Sequence, residues 1–328
     1  MVKRVLQLTG IGRFDIVELP IEPPGPGQVV LEIEAVTTCP QWDMHLWRGE
    51  PMFPQMPLPF PFTPGAPGHE AVGRVVAVSP DVTTLKIGQR VAAWRALEMK
   101  RHGTYGTHVT HDAASLLLIP ENDPAIAWAP LELAMCVSTT MLDLRDHGFL
   151  PCKRLGISGL GPSGLIAAQI AAAMGVEEII GFDPDENRRS FAAEHGWAIP
   201  MDPATVDATM KRHKPEALDV SIDCVGAAAV ISFLSEHTKH VVAIFGVQRQ
   251  DYTYKVDYGY GPALRLWGYP GHHLAAAQFA HGLIREGKLD LKPLVTHSIP
   301  LRQYEQAVKL LMDKQAIKVC LLCGAGDV

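Results

Sequence analysis

The chain changes texture near residue 150. Before that point, apolar runs carry interleaved polar positions: Gln28 to Val36 holds Glu32 and Glu34 among Val, Leu and Ile, Glu70 to Val78 is a second run, and Gln89 to Trp94 a third. A period near two puts successive side chains on opposite faces of a strand. Pro23-Pro24-Gly25-Pro26-Gly27 and Pro80-Asp81 separate the runs, because proline and glycine interrupt regular pairing. The pattern predicts an irregular antiparallel β domain. After residue 150, short apolar runs alternate with helix-forming ones. The strand ending at Ser158, the helix Leu165 to Met174 and the strand Val176 to Phe182 come first. Ala217 to Asp223, Val241 to Phe245 and Leu264 to Trp267 follow as strands, with helical stretches such as Ala227 to Ser235 between them. Alternation of this kind predicts α/β architecture with a doubly wound parallel sheet. Past Gly268, helical runs at His273 to Glu286 and Arg302 to Lys314 flank Asp290 to His297, and the tail is expected to return to the first domain. The expected organisation is 1–137, 138–269 and 270–328.

One segment fits neither texture. Pro51 to Phe62 carries prolines that forbid helix and central strand, yet also Met52, Phe53, Met56, Leu58, Phe60 and Phe62. It is an extended loop that either covers the core or lines a substrate cleft.

Composition narrows the class. With 328 residues, 47% hydrophobic and 20% charged, the chain is long enough for about two domains with full cores. A net charge of −6 argues against a nucleic-acid partner, and the basic cluster Lys211-Arg212-His213-Lys214 reads as the solvated end of a helix. No stretch has the apolar length of a membrane span, and the N-terminus lacks a signal peptide's core, so a soluble, cytoplasmic protein with no membrane partner is expected. Six scattered cysteines imply reduced thiols. Cys320 and Cys323 read as structural residues of one strand.

The candidate chemistry begins at Gly159-Leu160-Gly161-Pro162-Ser163-Gly164. Gly159 allows a tight turn out of a strand, Gly161 keeps a Cβ away from a pyrophosphate, and Gly164 lets the next helix pack on the strand while its free N–H groups face the phosphates. Such glycine patterns are common alone. Here a strand precedes, a helix follows, and Asp183 closes the second strand nineteen residues after Gly164, which makes a complete dinucleotide-binding unit. An acid there accepts from both ribose hydroxyls and repels a 2′-phosphate, so NAD is favoured over NADP. Arg188 either contacts the cofactor or belongs to a solvated helix start, and Cys224 joins the expected cofactor-binding set.

A second constellation comprises Cys39 at the end of the first long strand, Gly68-His69-Glu70 entering the second, and Cys136 within Leu133 to Thr140. Two thiolates and an imidazole suit Zn²⁺, although each residue alone is more often a buried core group. Together with Val72-Gly73-Arg74, Lys86 to Val91, Gly103 to Gly106, Thr140, the glycine loop, Asp183 and Asp290 to His297, the series resembles the medium-chain dehydrogenase/reductase superfamily. The likeness is to its zinc-dependent alcohol, polyol and threonine dehydrogenase branch. It implies a GroES-like catalytic domain beside a Rossmann domain. It also implies one catalytic zinc on Cys39, His69 and Cys136 with Glu70 behind or transiently on the metal, and a dimer or tetramer built through Tyr252 to Tyr258. The implied reaction is hydride transfer between an NAD cofactor and a small alcohol, secondary, polyol or bulky and hydrophobic, giving a ketone or aldehyde.

Two departures from that branch stand out. Cys39-Pro40-Gln41-Trp42-Asp43-Met44-His45 lacks the usual hydroxyl and has one extra residue before the acid. Asp43 and His45 are expected to survive as orienting acid and proton relay, with water or Thr38 replacing the hydroxyl. The run from Trp94 to His102 lacks the four cysteines of a structural zinc lobe, so no structural zinc is expected. The competing readings are a zinc-independent NAD(P)H reductase of an activated alkene or quinone, and a non-catalytic nucleotide binder.

Overall fold

The computed structural model describes residues 2–53, 55–97, 101–253, 263–324 and 326–328. It comprises two compact units, residues 1–133 with 291–328, and residues 134–290.

In the first unit, β1 (Val2–Gly10) and β2 (Arg13–Pro20) form an antiparallel hairpin. Strand β3 (Gln28–Thr37) leads through Cys39 into α1 (Pro40–Arg48), whose first position is proline, where a missing N–H costs nothing. Strand β4 (Glu70–Val78) pairs antiparallel with β3 in a register that sets Thr37 opposite Glu70. That register brings together the strand ends bearing Cys39 and His69. Next come β5 (Arg90–Ala93), β6 (His108–Asp112) and β7 (Leu116–Leu118). Leu31, Ile33, Val36, Val75, Val91 and Val109 fill the core between these strands. Helix α2 (Leu131–Asp146) starts in this unit and continues into the second.

The second unit alternates β8 (Arg154–Ser158), α3 (Pro162–Ala173), β9 (Glu178–Phe182), α4 (Glu186–Glu194), β10 (Ile199–Met201) and β11 (Leu218–Asp223). It ends with α5 (Ala228–His237), β12 (Thr238–Ile244), β13 (Arg265–Gly268) and α6 (Leu274–Arg285). All six strands run parallel in the order β10-β9-β8-β11-β12-β13. The order reverses between β8 and β11, and ligands of such sheets bind at the carboxyl ends of the strands at that reversal.

The chain then re-enters the first unit with β14 (Val295–Pro300), α7 (Tyr304–Met312) and β15 (Lys318–Leu322), completing a sheet ordered β14-β15-β3-β4-β5-β7, with β6 also on β3. The second unit reaches residue 290 rather than the expected 269. Gln169 in α3 explains this: its amide bonds the backbone of Asp290 at both N and O, at 2.8 and 3.2 Å.

Several expectations are refined. In the Pro51 to Phe62 segment, Met52 and Phe62 are buried and Met56, Leu58 and Phe60 pack on the core, while Phe53 stays 44% exposed. Most of the segment is therefore core cover. Lys211 follows a 3-10 turn, Ala208–Met210, rather than an α-helix, and pairs with Glu236. Residues 125–146 form one segment long and apolar enough to cross a membrane, but 72% of its apolar window is buried within the protein, as in a core helix. Residues 254–258 of the expected association segment lie outside the described residues.

Candidate active site

The residues at the β3–α1 and β4 junctions converge. Donor atoms of Cys39, His69 and Glu70 lie within 4.8 Å of one another. The His69 Nδ1 is 2.6 Å from the Pro67 carbonyl. A proton on Nδ1 satisfies that carbonyl and leaves Nε2 as the metal-facing lone pair, the usual way an outer partner fixes a ligating imidazole. Glu132 Oε2 stands 3.7 Å from Nε2. Burial disfavours the imidazolium, but Glu132, Cys39 and Glu70 outweigh it and raise the His69 pKa to about 10. The thiol, imidazole and carboxylate donor set fits Zn²⁺.

Cys136 lies on α2. It is one turn beyond Glu132, and in the second unit its Sγ is within 4.8 Å of a His272 ring nitrogen. Residues four apart on a helix share a face, so the helix that carries Cys136 also carries an acid, and the acid is the group against His69.

Glu70 is fully buried between three elements. Thr37 Oγ1 donates to it at 2.7 Å, and Lys318 Nζ lies 2.7 Å from its carboxylate and from the Thr38 carbonyl. Both Glu70 and Lys318 are 0% exposed. Asp43 is equally buried, accepting from Tyr105 Oη at 2.9 and 3.0 Å and from Tyr304 Oη at 2.7 Å. Burial pushes the Asp43 pKa up to about 6, with the two phenols opposing. His45 pairs with Glu50 at 3.1 Å. Thr38 is wholly buried, and its Oγ1 accepts from Val319 N at 3.0 Å.

The glycine loop has the expected shape. Gly159 adopts φ 92, and a Cβ on Gly164 would overlap the Gly159 carbonyl, so both positions exclude side chains. A Cβ on Gly161 would meet open space, which leaves room above the loop. Pro162 and Ser163 form the first turn of α3. Asp183 closes β9, accepts from Leu160 N at 2.8 Å and from Asp185 N at 2.9 Å, and lies 3.5 Å from Arg188 Nη1. Cys224 follows β11, its N donating to the Ser158 carbonyl at 2.9 Å beside the turn. These features fit a dinucleotide cradle.

Glu132, Lys318, Tyr105 and Tyr304 were not singled out from sequence. A lone carboxylate in the apolar run Leu131 to Val137 and a lone lysine in Ile317 to Leu322 were the available signals for the first two. The tyrosines carry no local signal.

Fold and site together define a zinc-binding, nicotinamide-dependent oxidoreductase class, and comparison with known proteins agrees. Residues 25–121 match the alcohol dehydrogenase GroES-like domain and residues 162–258 the zinc-binding dehydrogenase domain, more than half the chain together. L-threonine 3-dehydrogenase of Pyrococcus furiosus is 24% identical over 350 residues, spanning 94% of each chain. The crystal structure of 2R,3R-butanediol dehydrogenase from Bacillus subtilis superposes with a TM-score of 0.83 at 20% identity, covering 98% of this chain and 100% of that one. A zinc-binding dehydrogenase from Sinorhizobium meliloti bound to NADP gives 0.81 at 22% identity, covering 98% and 99%. The chain belongs to the zinc-dependent medium-chain dehydrogenase superfamily, in its alcohol dehydrogenase-like branch.

Proposed function

We propose that the protein is an NAD-dependent alcohol dehydrogenase that interconverts a secondary or polyol-type alcohol and its carbonyl compound, with one catalytic zinc per chain. The observation that carries this reading is the grouping of Cys39, His69 and Glu70, with Glu132 against His69 Nε2. Cys39, His69 and Glu132 would hold the metal. Glu70, its carboxylate held by Thr37 and Lys318, supports the site from behind. When bound, zinc acidifies a coordinated alcohol much as it lowers the pKa of water from about 15.7 to about 7.

The protein's own groups supply orientation and the proton path. Pro67 O holds the proton of His69 at Nδ1, and Tyr105 and Tyr304 fix Asp43 behind the loop that bears Cys39. His45 takes the proton on its ring and passes it toward solvent, oriented by the half-exposed Glu50. The α3 N-terminus receives the cofactor phosphates. Asp183 favours NAD because a 2′-phosphate would face its carboxylate, with Arg188 partly offsetting that charge. Pairing of copies as a dimer or tetramer follows the resemblance.

The test is NADH formation over a panel of secondary alcohols, polyols and β-hydroxy amino acids, with NAD⁺ and NADP⁺ in parallel. Turnover with NAD⁺ that His45→Ala slows near neutral pH supports the reading. Cofactor binding without turnover on any alcohol or carbonyl overturns it.

A further inference from the structure

Three strands of the second unit end in turns that pack on one another. After β8, Gly159 lies against the turn after β11: a Cβ on it would meet the Val225 side chain, with the Cys224 backbone next. That second turn touches the one after β12, where a Cβ on Gly226 would overlap the Val247 carbonyl and a Cβ on Gly246 would overlap Gly226 N. Asp223, 0% exposed at the end of β11, ties these last two turns together. Its backbone carbonyl accepts from Phe245 N at 3.0 Å and Gly246 N at 2.8 Å. Its carboxylate accepts from Val225 N at 2.9 Å, Gly226 N at 3.1 Å and Gln248 Nε2 at 2.8 Å. Burial pushes the Asp223 carboxyl up, and these three N–H donors oppose it.

The carboxylate decides which way round the Gln248 amide sits. An ionised acid only accepts, so it takes Nε2; the Gly246 carbonyl, a second acceptor, lies 3.4 Å from the same nitrogen. Oε1 is left over. It is shielded from solvent and, among the described residues, accepts no hydrogen bond. A shielded acceptor costs free energy until a donor reaches it. The last torsion of a glutamine is broad, so a small rotation opens Oε1 to a ligand while Nε2 stays beside Asp223.

The place of this acceptor narrows its donor. The strand order reverses between β8 and β11, and each half of such a sheet holds one nucleotide of a dinucleotide. Asp183, at the end of β9, is the adenosine-ribose acid of one half under the NAD-dependent reading, on which this inference rests. Gln248 follows β12 in the other half, which takes the nicotinamide nucleotide. Ribose hydroxyls there can donate or accept, whereas the carboxamide NH2 only donates and needs an acceptor. We propose that Gln248 Oε1 accepts from the NH2 of the nicotinamide carboxamide and makes the site selective for that group.

The test is calorimetric titration of the full chain with three probes. They are NADH, its 3-acetylpyridine analogue, in which a methyl group replaces the amide NH2, and ADP-ribose, which lacks the nicotinamide. The wild type should prefer NADH to the analogue by about fivefold or more. Gln248→Met should erase most of that preference by weakening NADH, with the analogue and ADP-ribose little changed. No preference in the wild type, a preference that persists in the variant, or an equal loss for all three probes, as a purely structural strap or a ribose contact would give, overturns the proposal and leaves the NAD-dependent reading standing. A wild type that binds none of the three overturns both. If Gln248→Met fails to fold by circular dichroism, Gln248→Lys, which keeps a donor for Asp223 and offers no acceptor, decides on the same ratio.

Discussion

At the residue scale, the metal site turns on which side chain of α2 meets His69. Glu132 Oε2 stands 3.7 Å from its Nε2, and Cys136 lies one turn further along the same helix. Glu132→Gln keeps the shape and removes the charge, so zinc affinity should fall by at least about tenfold, whereas Cys136→Ser should leave it unchanged. A chelator competition titration on both variants separates these outcomes, and the reverse order would restore Cys136 as the ligand. His111 offers an independent prediction. It is 1% exposed on β6, its Nε2 lacks a partner among the described residues, and burial pushes its pKa down to about 4. A histidine whose folded pKa lies below its unfolded value costs stability as pH falls through that interval, here from about 6.5 toward 4, by about 3 kcal/mol in full. Asp43, raised to about 6, acts with the opposite sign over part of the same interval, so the wild-type curve alone is not diagnostic. The difference in melting temperature between His111→Leu and wild type should grow in the variant's favour below about pH 6. A pH-independent difference would contradict the assignment.

At the element scale, pairing of β3 with β4 and of β15 with β3 assembles Thr37, Glu70 and Lys318 from three strands. Removing one partner of a buried ion pair strands the other, which typically costs about 3–5 kcal/mol. Lys318→Met should show that loss by denaturant unfolding, and adding Glu70→Gln should restore much of it; a loss below about 1 kcal/mol would mean that the pair is solvated. Most of this architecture was legible in the sequence. The run Glu70 to Val78 is β4 with the same bounds, and the glycine loop, Asp183 and the strands after residue 150 fall close to where periodicity put them. Helix α1 was not, because Pro40, Gln41 and Trp42 break the apolar period, and in the β1–β2 hairpin β1 buries Val5 and Leu6 in succession while no residue of β2 is fully buried, so neither strand shows clean alternation. Glu132 was hidden for a related reason: in an apolar helix, the cysteine attracts attention as a metal ligand and the acid reads as a solvated position.

At the scale of the whole molecule, the chain divides into two units. The first holds Cys39, His69, Glu70 and Glu132, and the second the parallel sheet with its glycine turn. Such a division lets hydride chemistry reside in a cofactor while the protein contributes orientation and charge. The expectation of a single metal follows from the cysteine inventory, which holds no four-cysteine lobe between Trp94 and Gly103. Elemental analysis of protein purified without added metal or chelator tests the account most directly. About one zinc per chain, falling toward zero in Cys39→Ser, is the result predicted; a value near zero that added zinc does not restore would contradict the metal site and the alcohol chemistry built on it.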